Sequence, residues 1–236
     1  MNNAWVDTLH IDRVVALCYS GYPERTKPLM MELGRVGLSD VAEIAYTYNS
    51  PVDGLLMKAI PHVHKLDKQP GQFNAVMGHY GIAKTSIALG CDNVLVLEDD
   101  CRFLKDLSKI DDAIAQAPNT WDGLTFDAFV WKGKNTSPWS RCGFWRSAAA
   151  VCYSKKMLRR LVSCVESAVS ESGRISPLRN YDAYFDTGFI GNDMAMYRAY
   201  PNLAIQCDIP GPVMSNVYEK YGRLGIDVSE YSGFNP

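Results

Sequence analysis

No run in this 236-residue chain approaches the ~20 consecutive apolar residues that a bilayer-spanning helix needs. The opening MNNAWVDTLHIDRVV has no basic stretch leading into an apolar one, so no secretory signal is read there. The expectation is a cytoplasmic protein with no transmembrane segment, whose membrane contact is limited to peripheral association. A basic excess is missing as well. With 24 Lys and Arg against 26 Asp and Glu, the formal charge is -2, which gives nucleic-acid binding no compositional support. No Gly-x-x-x-x-Gly-Lys-Ser/Thr loop is present to cradle a triphosphate, which counts against a metal-dependent nucleotidyl or phosphoryl transferase. The seven cysteines (Cys18, Cys91, Cys101, Cys142, Cys152, Cys164, Cys207) are odd in number and form no CxxC pair. They argue against a disulfide framework and a structural zinc site, and read as buried reduced thiols.

What the chain does contain is an alternation of apolar strand-like runs with helical periodicities. Residues 13–19, RVVALCY, form a short β-branched run that reads as a buried strand. From Glu24 the spacing of Leu29, Met30, Leu33 and Val36 predicts a helix stopped at Gly37. Residues 41–48 read as a second strand and 52–71 as loop, while 73–88 carry apolar residues at helical spacing up to a stop at Gly90. Residues 93–97, NVLVL, are continuously apolar, as strands of a parallel sheet are when both faces are covered. Further on, 104–117 read as helix, 121–130 as strand, 132–146 as a Trp-bearing mobile loop, 148–153 as strand and 155–169 as helix. The pattern predicts an α/β fold of Rossmann type, a mostly parallel sheet flanked by helices. It is expected to be one domain over 1–236, with one half at 13–110 and another at 120–236.

In such sheets ligands bind beyond the carboxyl ends of the strands. The run 94–97 delivers Glu98, Asp99 and Asp100 to that place. Three adjacent carboxylates repel one another unless a cation or hydrogen-bond donors offset the charge, and a hard divalent ion shared with phosphate oxygens would do so. The plainer reading is that they cap the next helix or are solvated. A response-regulator receiver domain also runs a hydrophobic strand into an acidic pair, but there the strand opens the domain. Here about ninety residues precede the cluster, and Asp127 is followed by Ala-Phe-Val-Trp-Lys.

The order of several segments is more particular. It runs through Glu24-Arg25, Gly78-His79, Leu95-Val96-Leu97-Glu98-Asp99-Asp100 and Trp121-Asp122-Gly123-Leu124. It continues with Ala149, Val151, Tyr153, Ser154 and the 155–161 helix, then Asp193 and Tyr200-Pro201-Asn202-Leu203-Ala204-Ile205-Gln206. In this order the chain resembles glycosyltransferase family 25, the lipooligosaccharide-type transferases related to the collagen galactosyltransferases, over roughly residues 13–207. The resemblance implies a GT-A-like fold with Glu98-Asp99-Asp100 as its DxD-like motif, a nucleotide-sugar-binding half at 13–110 and an acceptor-side half at 120–236. It also implies transfer of a hexose such as galactose from a UDP-sugar to a hydroxyl of a cell-surface glycan or lipid-linked glycan, with inversion.

On that footing the metal, Mn or Mg, falls to Asp100 with Glu98 or Asp99 assisting, where it would stabilise the leaving diphosphate. Asp193 is the candidate general base, its alternative being the N-cap of a helix beginning at Met194. Asp182 and Asp186, in the aromatic stretch 181–186, are rivals for base or acceptor contacts. His79 is a candidate donor contact or a structural histidine. Arg25 is a candidate phosphate or uracil contact, and Lys132, Lys134 and Arg141 are candidate lid residues. His10, His62, His64 and His79 all precede the acidic strand, so the late histidine of many GT-A metal shells has no counterpart. A reading of another class is a non-catalytic nucleotide-sugar- or glycan-binding protein on the same fold.

Overall fold

The computed structural model describes residues 4–19, 23–47, 70–128, 130–132, 134–170, 193–207 and 217–232. Its centre is a seven-stranded sheet in the order β2-β1-β3-β9-β5-β10-β7. The strands are β1 (Arg13–Tyr19), β2 (Ala42–Thr47), β3 (Asn93–Glu98), β5 (Gly123–Thr125), β7 (Trp139–Arg141), β9 (Ala150–Ser154) and β10 (Met196–Ala199). The strands β2, β1, β3, β5 and β10 point one way. Strand β9 lies antiparallel between β3 and β5, and β7 lies antiparallel on β10. The sheet is therefore mixed and mostly parallel, as expected.

Both faces are covered, which explains the unbroken apolar runs. Val14, Ala16, Cys18, Leu95 and Leu97 face Leu29 and Leu33 of α2 (Thr26–Arg35), together with Trp5 of α1 (Ala4–Thr8). Val15, Leu17, Val94 and Val96 face the other way. They pack on Val76, Ile82 and Ala83 of α3 (Pro70–Ala88), and share that layer with Met157, Leu158 and Leu161 of α5 (Lys155–Ser170). Helix α2 stops at Gly37, whose φ of 74° suits the left-handed turn that closes it. Helix α3 stops in the same way at Gly90. The seven cysteines are free thiols, and all but Cys91 are buried.

Where periodicity and structure part, the cause is pairing with distant segments. The expected 104–117 helix is α4 (Leu107–Ala115), capped by Asp106, which accepts from Ser108 N at 3.1 Å. The residues before it form β4 (Cys101–Phe103), antiparallel to β11 (Ala204–Gln206). The expected strand 121–130 breaks after Thr125, and the expected loop 132–146 contains β7 and a pairing of β6 (Val130–Lys132) with β8 (Phe144–Arg146). The expected loop 52–71 lies outside the described residues up to 69, and α3 begins at Pro70. Among the described residues no helix is long and apolar enough to cross a membrane.

Helix α3 lies close on the sheet at Gly78. A Cβ there would meet Leu17 Cδ1 and Thr47 Cγ2 at 2.8 Å, from two different strands, so no single shift relieves both. At Gly81, exposed one turn further on, a Cβ meets nothing within 4 Å. Alanine at a helix position gains about 1 kcal/mol over glycine, whereas overpacking costs about 1–3 kcal/mol. Thermal denaturation should accordingly show Gly78→Ala with a lowered Tm and Gly81→Ala with a raised one. Equal shifts for the two would contradict the close approach.

Candidate functional site

Strand β3 ends at Glu98 and the chain turns through Asp99 and Asp100 into β4. That turn is fastened from several sides. Asp99 Oδ2 accepts from Tyr19 N at 2.8 Å, at the end of β1, and Oδ1 lies 3.5 Å from Arg25 Nη1. The Asp100 carbonyl accepts from Cys207 N at 2.7 Å, just after β11. Glu32 and Arg35, paired on α2 at 2.6 Å, act together as a strand partner for β4. The Glu32 carboxylate accepts from Phe103 N at 2.7 Å, and the Arg35 guanidinium donates to Phe103 O at 3.2 Å. Arg25, just before α2, and Glu32 with Arg35, in its last turn, thus hold the chain on either side of Asp100.

Each carboxylate of the cluster has a different environment. Glu98, on the α3 side of the sheet, lies with Oε1 3.1 Å from His79 Nε2. Asp99 is buried, and its carboxyl is raised above the ordinary value, first by burial; the Tyr19 N–H and the positive charges of Arg25 and Arg102 pull the other way. Asp100 is 8% exposed, and its Oδ1 has no hydrogen-bond partner among the described residues. Burial pushes its carboxyl well up, and the negative charges of Glu98 and Asp99 push it further. A buried, partnerless carboxylate oxygen is costly in a folded protein.

Among the described residues no group of three or more His, Cys, Asp or Glu could by itself hold a metal ion. The residues do fit a hard cation that takes most of its ligands from a substrate phosphate and water, as Mg sites commonly do. Asp100 Oδ1 is the oxygen left over for it.

Arg25, His79, Glu98, Asp99 and Asp100 are brought together. Asp193 is not. It is 60% exposed in its side chain and paired with Arg160 at 3.2 Å, and its carbonyl accepts from Lys156 Nζ at 2.7 Å. Asp122, just ahead of β5, shares Lys156 at 3.1 Å and accepts from Ala195 N at 2.7 Å. This group stands at the amino ends of the parallel strands. The length of β3, roughly 17 Å at about 3.3 Å per residue, separates it from Glu98. Asp193 therefore cannot reach a proton at the cluster, which corrects its assignment as the base. Its alternative as a helix N-cap fails too, because Met196–Ala199 is a strand held between β5 and β7. Asp182 and Asp186 lie outside the described residues. Lys134 and Arg141 are exposed. Arg141 sits on β7, four strand positions from β3 and so roughly 19 Å away at about 4.8 Å per step. The side chain of Lys132 is outside the described set.

Beside the cluster lies a second carboxylate whose role the sequence did not reveal. Asp127, past the end of β5, is 0% exposed. It accepts from Asn202 Nδ2 at 2.9 Å, from the Tyr221 hydroxyl of α6 (Val217–Arg223) at 2.9 Å, and from the Ser147 hydroxyl. Ser147 is held at φ 113°, a conformation side chains rarely adopt. The Tyr221 oxygen in turn accepts from Gln206 N at 3.0 Å. Burial and the negative charge of Asp127 raise the Tyr221 phenol well above its ordinary value, so it stays a donor. Local sequence carries no signal for this network, since its members come from four distant segments.

No protein-family model matches the chain, and a search of curated proteins returns no match. Several solved structures are similar in part, among them the following three. One is a mannose-1-phosphate geranyltransferase from Thermus thermophilus, with 12% identity, 80% of this chain and 74% of that one covered, and a TM-score of 0.38. Another is a glycosyltransferase involved in the glycosylation of the major capsid of PBCV-1, with 11% identity, coverage of 90% and 98%, and a TM-score of 0.46. The third is A197 from STIV, with 8% identity, coverage of 86% and 98%, and a TM-score of 0.40. At these scores none of them bears on the chemistry of this chain.

Proposed function

We propose that this chain is a nucleotide-sugar-dependent glycosyltransferase of the GT-A type, and that it moves a hexose from a UDP-sugar to a hydroxyl of a cell-surface glycan or lipid-linked glycan precursor. The observation that carries this reading is the buried, partnerless Asp100 Oδ1 beside two further carboxylates, past the carboxyl end of a central strand. A divalent cation, Mn or Mg, held by Asp100 with Glu98 near it, would supply charge stabilisation for the diphosphate as it leaves. Arg25, which lies 3.5 Å from Asp99 Oδ1, would contact the same phosphates. Inversion needs a base on the acceptor side, and with Asp193 at the amino ends of the parallel strands the proposal passes to Asp182 or Asp186. The family 25 assignment, the two functional halves and a cytoplasmic site of action with peripheral membrane contact belong to this same proposal.

The test is thermal stabilisation by UDP-, GDP- and CMP-sugars with and without Mn, followed by UDP release from any donor that binds. Bound ligand raises Tm by mass action. Selective stabilisation by one donor with Mn, with UDP release abolished in Glu98→Ala/Asp100→Ala, is expected. Stabilisation without UDP release above the double-alanine control would instead identify a non-catalytic nucleotide-sugar- or glycan-binding protein.

A further inference from the structure

Three side chains from different elements form one line of hydrogen bonds ending at the acidic cluster. The Tyr153 hydroxyl on β9 lies 2.9 Å from His79 Nδ1 on α3, and His79 Nε2 lies 3.1 Å from Glu98 Oε1 at the end of β3. The two rings meet edge to face, with centroids 5.8 Å apart and planes at 87°. Both are 1% exposed, so neither ring reaches a substrate. A carboxylate only accepts, so Nε2 carries the hydrogen and donates to Glu98; Nδ1 is then the acceptor, and the phenol donates to it. Each link fixes the next. Tyr153 is held in the core with Met157 and Leu158, Tyr153 sets the ring of His79, and the ring sets the carboxylate. The close seating of α3 at Gly78 brings His79 within this reach.

We propose that Tyr153 and His79 are positioning residues that hold the Glu98 carboxylate in one orientation beside Asp100, so that the two carboxylates and a donor diphosphate together receive the divalent cation. This rests on the transferase reading above. A glutamate at a strand end otherwise samples several rotamers, and ordering it in advance removes that cost from the binding step. Hydrogen-bonded partners behind a ligating group commonly set its affinity in this way.

The experiment is a Mn titration of the full chain in the presence of UDP, followed by electron paramagnetic resonance, with the imidazole nitrogens of His79 observed by NMR. His79→Leu should weaken Mn binding by about 10–100-fold. His79→Gln, which keeps an N–H near the Nε2 position, should recover most of that loss. Tyr153→Phe, which keeps the ring in the core and loses only the hydroxyl, should move the His79 Nδ1 resonance and weaken Mn binding, and it carries the test if His79→Leu fails to fold. A wild-type chain that takes up Mn with UDP, alongside His79→Leu and Tyr153→Phe variants of unchanged affinity, overturns this inference alone. So does a glutamine variant no better than the leucine one while Tyr153→Phe binds as wild type. A wild-type chain that takes up no Mn with UDP overturns the transferase reading, and this inference with it.

Discussion

Asp100→Asn is expected to raise the melting temperature of the ligand-free protein and to abolish donor turnover. Under the proposed function, fold and chemistry make opposite demands on this side chain. The folded state buries Asp100, gives Oδ1 no partner among the described residues and sets two like charges beside it, so its carboxyl is raised. A group with a raised folded-state value favours folding only below its unfolded value, near 4 for aspartate. That contribution is lost as pH rises toward the folded value. Asparagine has no such dependence. The gain in Tm should therefore be near zero below about pH 4 and grow toward neutrality. The amide leaves the same position without a partner but carries no charge, so the gain at pH 8 comes from removing a buried charge beside two like ones, and at about 2–4 °C per kcal/mol for a chain of this size it should be a shift of a few degrees. Loss of a cation ligand that stabilises the leaving diphosphate by several kcal/mol should slow UDP release by about a thousandfold. Differential scanning calorimetry across pH, paired with a donor-turnover assay, checks both signs. A Tm that falls at pH 8 would make Asp100 a structural carboxylate.

Asp127→Ala should give the opposite stability result. Tyr221, Ser147 and Asn202 all donate to this buried carboxylate, and its removal leaves those donors facing a cavity. At about 1–3 kcal/mol for a buried group left unsatisfied, and with non-additive losses, the expected cost is about 3–5 kcal/mol. Tm should then fall by roughly 6–20 °C at the same scaling. Tyr221→Phe removes one donor and leaves Gln206 N without its acceptor, for a loss of about 1–2 kcal/mol. Because the two residues touch, the double variant should lose less than the sum, a coupling readable by urea denaturation. Additive losses would mean that α6 is not anchored through Asp127.

These two carboxylates show how far local sequence reaches. Asp100 stands out because an apolar run delivers it to the end of a strand, and local hydropathy records that. Asp127 follows a similar run, yet nothing nearby shows that Ser147, Asn202 and Tyr221 will converge on it. His79 is legible as a histidine on a helix, but its partners Glu98 and Tyr153 are 19 and 74 residues away. Asp193 sits in a segment whose spacing suits a helix start, and pairing with β5 and β7 makes it a strand instead.

The sequence by itself determined the alternation of strands and helices, the two-sided burial of β1 and β3, the glycine stops of α2 and α3, and the placing of three carboxylates after a central strand. All of these follow from side-chain periodicity and backbone preference within about a dozen residues. Only the tertiary structure decided that β9 enters antiparallel between β3 and β5, that β4 is sealed by β11 and by Glu32 with Arg35, and that Asp193 belongs to the amino ends of the parallel strands. It alone decided which of the three carboxylates keeps an unpartnered oxygen. Strand direction and hydrogen-bond partnership are settled by contacts between segments tens of residues apart, whose free energies leave no local pattern to read.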